Sequence, residues 1–220
     1  MLDTICDVLK EAYKRNWIST RDGNASFRRK NEPFLYVTPS GVRKQHLNAE
    51  MMLKLEMKDL DTEDLDAGLS RIERVDDDYQ RKIIGLYPTG ELPMHFLLQK
   101  RISTNNRVVL HLHPTYIIAA MYAGLDLQQL ARDFPEINRY TKVGPTVPMI
   151  PPISKELGIE SAKAFGLNEL TGTIECDIIG LDRHGIVAIG QDAWTVFESV
   201  ERLEHIAQIA LAGGVGLKRP

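Results

Sequence analysis

The chain has 220 residues, of which 27 are basic and 30 acidic, and its formal net charge is −3. This balance argues against nucleic acid or an anionic membrane as the main partner. Hydrophobic residues make up 43% of the chain, and no apolar run reaches the length of a transmembrane helix. The acidic N-terminal stretch differs from a signal peptide, and Cys6 and Cys176 lie far apart, so we expect a cytoplasmic protein with two buried free thiols.

Hydrophobic spacing and turn residues predict the elements of the first half of the chain. They are a helix over residues 2–15, a hairpin of strands at 25–28 and 34–38, a helix from Asn48 to Met57, a strand at 69–75 and a helix at 91–101.

The same patterns predict the second half. Its elements are a buried strand at 108–112, a buried helix at 116–121, a long ordered loop over 126–152, a helix at 154–165, a hairpin of 177–181 with 186–189, and a last helix at 193–212. Because no repeat, low-complexity tract or linker interrupts them, we expect residues 1–220 to form one domain of mixed α/β class.

The segment Val108–Pro114 is a short apolar strand that ends in two histidines. Alternate side chains of a strand point to the same face, so His111 and His113 are expected to project together. Pro114 lacks the N–H that a sheet needs and ends the strand. Two adjacent imidazoles can hold a divalent metal ion, although an isolated His-x-His is also an ordinary polar strand end.

Two further side chains extend this candidate site. His184 lies at the tip of the second hairpin, where a surface residue is also common. Glu91 follows a glycine at the start of a helix, where an acid also serves the helix dipole. Together, three imidazoles and a carboxylate are the ligand set of a zinc site with one exchangeable position. The three nitrogens favour zinc over magnesium or calcium.

Three short loops indicate a phosphate-binding site. They are Gly23-Asn24, Ser40-Gly41 and Thr89-Gly90. Each combines small residues, accessible backbone N–H groups and a polar side chain, which can bind phosphate without a lysine. Each loop by itself is also an ordinary turn.

Taken in order, these motifs resemble the class II aldolase/adducin superfamily over most of the chain. The matching segments are Gly23-Asn24-Ala25-Ser26, Thr38-Pro39-Ser40-Gly41-Val42, Thr89-Gly90-Glu91, His111-Leu112-His113-Pro114, His184-Gly185 and Leu203-Glu204-His205. The resemblance implies a three-layer α/β/α sandwich around a central, largely antiparallel sheet. It also implies a homotetramer with active sites between neighbouring subunits.

The resemblance assigns roles to the candidate residues. His111, His113 and His184 would bind one zinc ion, or another divalent transition metal, in each subunit. Glu91 would be the acid/base residue and would also sit on the metal in the empty enzyme. The substrate phosphate would be held by Gly23, Asn24, Ser40, Gly41, Thr89 and Gly90.

The chain departs from the superfamily pattern at three points. Thr89-Gly90 stands where Ser-Ser is common, and Arg183 precedes His184 where asparagine is common. The aldolases also use a tyrosine from the neighbouring subunit as a proton donor, and Tyr140 lies in the corresponding region without a secure register.

The acidic residue separates the activities of the superfamily, since the epimerases carry aspartate where this chain carries Glu91. The sequence therefore predicts a zinc-dependent lyase that cleaves a ketose 1-phosphate to dihydroxyacetone phosphate and an aldehyde through a metal-stabilised enediolate. The alternatives are an epimerase, dehydratase or decarboxylase acting on another sugar phosphate, and a non-catalytic adducin-like module. The retained histidines and glutamate disfavour the module.

Overall fold

In the computed structural model, residues 1–60, 86–102 and 107–215 are described. Their strands are β1 (Asn24–Arg28), β2 (Phe34–Val37), β3 (Leu53–Glu56), β4 (Arg107–Leu112), β5 (Ile178–Leu181) and β6 (Gly185–Gly190). They form one sheet in the order β3-β2-β1-β4-β6-β5, and each neighbouring pair is antiparallel. The predicted mixed α/β class and antiparallel sheet are confirmed.

The helices of the same residues pack on both faces of the sheet. They are α1 (Leu2–Lys14), α2 (Met57–Leu60), α3 (Leu92–Arg101), α4 (Thr115–Tyr122), α5 (Leu127–Asp133), α6 (Lys155–Ala164) and α7 (Ala193–Ala212). Across these ranges, none of the helices has both the length and the apolarity needed to cross a membrane.

Alternation along β4 divides the core into two layers. Val108 and Leu110 face a hydrophobic cluster with residues of α1, α4, α5 and α7. Val109 faces the opposite way, into a cluster with residues of α3 and α6. Because β4 is buried along its whole length, apolar residues occupy both of its faces, and its two polar residues, Arg107 and His111, are buried as well. The result is the expected three-layer α/β/α sandwich, with β4 and its histidines at the middle of the sheet.

The helix predicted from Asn48 to Met57 is wrong. The Asn48 side chain accepts a hydrogen bond from Met51 N at 3.2 Å, but it caps only a single 3₁₀ turn, Ala49–Met51. The chain then enters β3, where Leu53 pairs with Val37 of β2. Sheet pairing therefore overrides the local helix signal.

Three smaller predictions also need correction, and a fourth lies outside the described residues. The loop predicted over 126–152 contains α5, which Asp126 caps, and a 3₁₀ turn, Ile137–Arg139. Helix α4 buries only one side, because both of its tyrosines are exposed. Cys6 is buried as expected, whereas Cys176 is half-buried, and both thiols are free. The strand predicted at 69–75 falls in the range that is not described.

Candidate metal centre and active site

The fold brings the three predicted metal-binding histidines together. One ligand atom from each of His111, His113 and His184 lies within 4.8 Å of the other two. His111 Nε2 and His113 Nε2 are 2.9 Å apart. The strand end supplies the first two rings, and the turn between β5 and β6 supplies the third.

The ring of His111 is fixed from behind by the sheet. Its Nδ1 lies 2.9 Å from Ile186 O, an acceptor, so this nitrogen carries the hydrogen and donates. Nε2 is left with its lone pair towards the other two rings, the arrangement that metal-binding histidines usually have. Burial lowers the pKa of His111 well below 6.5, and the nearby His113 and His184 lower it further. The imidazole is thereby kept neutral, the form that binds a metal ion.

A close backbone approach holds His113 in place. Its own N–H donates to Trp17 O at 2.8 Å. Gly185, which opens β6, passes so near that a Cβ atom there would lie 2.4 Å from Leu112 O and 2.9 Å from His113 Cδ2. Burial lowers the pKa of His113 as well, and the neighbouring His184 adds to this effect.

Glu91 completes the cluster from the N-terminus of α3. Its Oε2 lies 3.2 Å from His111 Nε2, and its Oε1 lies 3.5 Å from His184 Nε2. The residue is buried, and it occupies the N-cap position. Three imidazole nitrogens and a carboxylate that face one point fit a divalent transition metal.

A buried polar network lies directly behind Glu91. Asn24 Nδ2 donates to Glu91 Oε2 at 3.1 Å, and Asn24 Oδ1 lies 2.5 Å from His95 Nε2. His95 Nδ1 lies 2.8 Å from Ser26 Oγ, which accepts from Gln99 Nε2 at 3.0 Å. Burial lowers the pKa of His95 to about 3, so the ring is neutral.

Sequence reasoning treated His95 and Gln99 only as helix positions. The signal that would have found them is the spacing of Glu91, His95 and Gln99 at i, i+4 and i+8, in a segment whose other residues are apolar as far as Leu98. Such spacing places three polar side chains on one face.

A cavity of about 240 Å³ opens beside the histidine cluster. Its walls contain the three histidines and Glu91, together with the six residues expected to hold a phosphate: Gly23, Asn24, Ser40, Gly41, Thr89 and Gly90. The fold thus assembles all the predicted site residues around one space.

The phosphate loops differ in what they offer this cavity. Ser40 N donates to Tyr87 O at 2.7 Å, and Thr89 N donates to Thr38 O at 3.1 Å. The backbone N–H groups of these two residues are therefore engaged, so that only their hydroxyls are left to donate to a bound group, and the Thr89 hydroxyl also accepts from Glu91 N at 3.4 Å. Gly23 and Gly41 adopt left-handed φ angles of 70° and 71°, which glycine accepts without strain.

Lys44 is a cavity residue that sequence reasoning missed. Its side chain is 1% exposed, and its Nζ donates to Arg21 O at 3.0 Å and Val42 O at 3.3 Å. The ammonium group therefore ties the Gly23 loop to the Gly41 loop. Burial lowers the pKa of Lys44 to about 8, so the group is charged at neutral pH. Its position after Gly41 is the only hint in the sequence.

Ile153 forms part of the cavity wall and has an unusual backbone. Its φ angle is +66°, a left-handed conformation that is rare for a β-branched residue. Its side chain lies over Gly90, where an added Cβ atom would come within 3.1 Å of Ile153 Cδ1. The Ile153 side chain thus lies close to the space that a side chain at position 90 would need.

Two residues noted as departures from the superfamily lie away from the cluster. Arg183 pairs with Asp182 at 3.4 Å and lies over the ring of Tyr122, 5.8 Å from its centroid. Tyr140 is 57% exposed, and the guanidinium group of Arg202 lies 5.2 Å from its ring centroid. Among the described residues, neither belongs to the cavity walls of its own subunit.

Known proteins match this chain over nearly its whole length. The family model for the class II aldolase and adducin N-terminal domain matches residues 3–211. An L-fuculose phosphate aldolase from Methanococcus maripaludis is 30% identical over 205 residues, which are 93% of this chain and 91% of the relative. One from Methanococcus vannielii is 29% identical with the same coverage of 93% and 91%.

Solved structures support the fold. An L-fuculose-1-phosphate aldolase from Thermus thermophilus has a TM-score of 0.69 at 20% identity, covering 96% of this chain and 94% of that one. A sugar-phosphate aldolase from Thermotoga maritima has a TM-score of 0.69 at 18% identity, with coverage of 100% and 97%. Both align over nearly the full length of each chain.

Proposed function

Because the chain belongs to the class II aldolase and adducin N-terminal domain family, we propose that it is a zinc-dependent sugar-phosphate aldolase. The proposed reaction cleaves a ketose 1-phosphate, such as L-fuculose 1-phosphate, to dihydroxyacetone phosphate and an aldehyde. The observation that carries the proposal is the meeting of three imidazoles and Glu91 at a cavity with hydroxyl-bearing, glycine-rich walls. The names of the methanococcal relatives suggest the substrate class.

The metal ion would be held by His111, His113 and His184, with Glu91 as an exchangeable fourth ligand. When bound, it supplies Lewis-acid stabilisation of negative charge on the substrate oxygens. Zinc is proposed because a nitrogen-rich set of this kind suits zinc.

Glu91 is proposed to transfer the proton that carbon C3 gains or loses. Cleavage takes the proton from the C4 hydroxyl, breaks the C3–C4 bond and releases the aldehyde, leaving an electron pair at C3. A proton must then reach C3 to give dihydroxyacetone phosphate, and Glu91 borders the cavity where that carbon would lie. In the reverse direction, the same carboxylate removes this proton.

The phosphate group is proposed to lie against Ser40, Gly41, Thr89 and Gly90, next to Lys44. The lysine supplies a positive charge at the cavity wall. Binding energy from this non-reacting end would hold C3 and C4 against the metal and Glu91. Asn24 is a weaker phosphate ligand in this arrangement, since one of its amide N–H groups already donates to Glu91.

The wider setting is also a proposal. We take residues 1–220 as one domain that assembles as a homotetramer, as the family resemblance implies, and that works in the cytoplasm. Free thiols at Cys6 and Cys176 fit a reducing compartment. Light scattering coupled to size-exclusion chromatography would test the assembly, and a monomer would contradict it.

The test of function is incubation of the purified protein with L-fuculose 1-phosphate and L-rhamnulose 1-phosphate. Dihydroxyacetone phosphate is measured by coupled reduction, and bound metal is measured by mass spectrometry. We expect product from at least one substrate and one zinc ion per chain. Absence of any transition metal, or conversion of L-ribulose 5-phosphate to its epimer without aldol cleavage, would contradict the proposal.

Two variants test the assigned roles. His113→Ala is expected to abolish metal binding, because it removes one of three nitrogen ligands. Glu91→Gln is expected to keep the metal but to lower kcat at least about 100-fold, as the loss of a general base does. Wild-type turnover in Glu91→Gln would refute the assigned role.

A further inference from the structure

Helix α3 and strand β1 present matching polar stripes to each other. Glu91, His95 and Gln99 are spaced four residues apart on α3, and Asn24 and Ser26 are alternate residues on β1. All five are buried, and His95, Ser26 and Gln99 are fully so. The stripes form a continuous chain of hydrogen bonds that leads away from the cavity into the core.

The donors and acceptors of these side chains fix the direction of each hydrogen bond in the network. Asn24 turns its NH₂ group to Glu91 Oε2, to which it donates, and turns its Oδ1, which can only accept, to His95 Nε2. His95 must then carry its hydrogen on Nε2. Because the ring is neutral, Nδ1 has a lone pair and accepts from the Ser26 hydroxyl. Ser26 Oγ in turn accepts from Gln99 Nε2.

We propose that His95 is a positioning residue for Glu91, acting through the Asn24 amide. The inference deepens the proposed function, on which the catalytic role of Glu91 rests. The imidazole locks the amide in the one orientation that donates to Glu91 Oε2, and so holds the carboxylate against the histidine cluster. A flipped Asn24 would instead set two oxygen atoms against each other in a buried space.

This network of hydrogen bonds orients Glu91 but does not pass protons to it. Proton transfer through Asn24 would need the amide to accept a hydrogen on Oδ1 and release one from Nδ2, which a neutral amide does only at high energy. The proton that Glu91 moves is therefore exchanged at the cavity side.

The first experiment needs no substrate. ¹⁵N correlation spectra of the metal-free protein with labelled histidine rings report which nitrogen of His95 carries hydrogen, and the His95→Gln spectrum assigns the signal by its loss. We expect the Nε2–H form. The Nδ1–H form, or a doubly protonated ring at neutral pH, would overturn the proposal whether or not the protein is an aldolase.

The second experiment compares two amides at this position. The amide group of His95→Gln falls near Nε2 and keeps a donor to Asn24, whereas that of His95→Asn falls near Nδ1 and keeps only the contact with Ser26. Loss of a supporting hydrogen bond of this kind typically lowers activity about 10- to 100-fold. We expect this loss in kcat for His95→Asn, with KM and metal content nearly unchanged, and recovery of most of kcat in His95→Gln.

Thermal unfolding separates positioning from folding. If both variants are equally active once corrected for folded, metal-loaded protein, His95 is only a packing residue and the proposal fails. If the wild-type protein cleaves neither sugar phosphate, the proposed function fails, and the tautomer measurement still decides the orientation of Asn24.

Discussion

At the scale of single residues, Lys44 carries a charge that burial opposes. Two carbonyl acceptors, Arg21 O and Val42 O, compensate part of the lost hydration. The uncompensated part of this cost lowers the pKa of Lys44 to about 8. A phosphate in the cavity would raise that pKa again, because an anion favours the charged form of the amine.

Lys44→Met should therefore weaken binding of a phosphorylated substrate. A charge-assisted hydrogen bond contributes about 1.5–3 kcal/mol, so KM should rise roughly 10- to 100-fold. In the wild-type protein, KM should also rise as the pH is raised through about 8, where Lys44 loses its proton. Steady-state kinetics from pH 7 to 9.5 measures both effects. An unchanged pH dependence of KM in Lys44→Met would contradict the assignment.

At the scale of elements, the tight pairing of β6 with β4 leaves no room beside His113. Gly185→Ala should displace the His113 imidazole, because the new Cβ atom would lie 2.4 Å from Leu112 O and 2.9 Å from His113 Cδ2. We expect metal affinity to fall at least about tenfold.

The matched control is Gly124→Ala. Gly124 also has a positive φ, of 75°, but nothing lies within 4 Å of the new Cβ atom. This variant should lose only about 1–2 kcal/mol of stability and keep its metal affinity. Calorimetric metal titration compares the two, and equal affinities would contradict the close-approach argument.

Helix α4 begins directly after the histidine strand, and Glu204 of α7 caps it. The carboxylate accepts from Tyr116 N at 2.9 Å and from Ile117 N at 2.8 Å. Glu204→Ala should cost about 1–3 kcal/mol, because the buried N–H of Ile117 loses its acceptor. Glu198→Ala on the same helix breaks only an exposed pair with Arg202 and should cost less than about 1 kcal/mol. Urea denaturation distinguishes them.

The elements also show which parts of the fold and of the candidate site local sequence patterns can predict. Strand β4 was predictable because it contains the apolar run Val108–Leu110 and because Pro114 follows it closely. Residues Ala49–Glu56 were not, because Leu53 is held in β3 by its pairing with Val37, a contact across the sheet. The candidate metal-binding residues, His111, His113, His184 and Glu91, could be found from residue type and spacing alone. His95 and Lys44 could not, since their roles depend on which carbonyls, hydroxyls and amides the fold brings near them.

At the scale of the whole molecule, the proposed metal site is expected to couple to folding. Burial keeps His95, His111 and His113 neutral in the folded chain, with pKa values below the ordinary 6.5. Between about pH 6.5 and 3, the unfolded chain therefore binds a proton on His95 that the folded chain does not, and His111 and His113 act in the same direction below pH 6.5. Stability of the metal-free protein should be complete above pH 6.5 and be lost as the pH falls, by about 1.4 kcal/mol per pH unit for His95, to which His111 and His113 add.

Adding zinc should oppose this loss, since the ion binds the folded state. At a free concentration about 1,000 times Kd, the gain is about 4 kcal/mol. Denaturation between pH 5 and 8, with and without zinc, measures both effects. His95→Gln is the control, because it should reduce the pH slope by about one proton and keep the zinc effect. A pH-independent stability would contradict the lowered pKa values of His95, His111 and His113.

The contact between Gly90 and Ile153 should make substitutions at these two positions interdependent. A Cβ atom at position 90 would lie 3.1 Å from Ile153 Cδ1, so a serine there has to move the isoleucine side chain. Gly90→Ser is therefore expected to lower the free energy of unfolding more in the wild-type protein than after Ile153→Gly, with a coupling energy of about 0.5–3 kcal/mol measured by urea denaturation. A serine hydroxyl at position 90 would then be acquired most readily by a chain whose residue at position 153 had already become smaller.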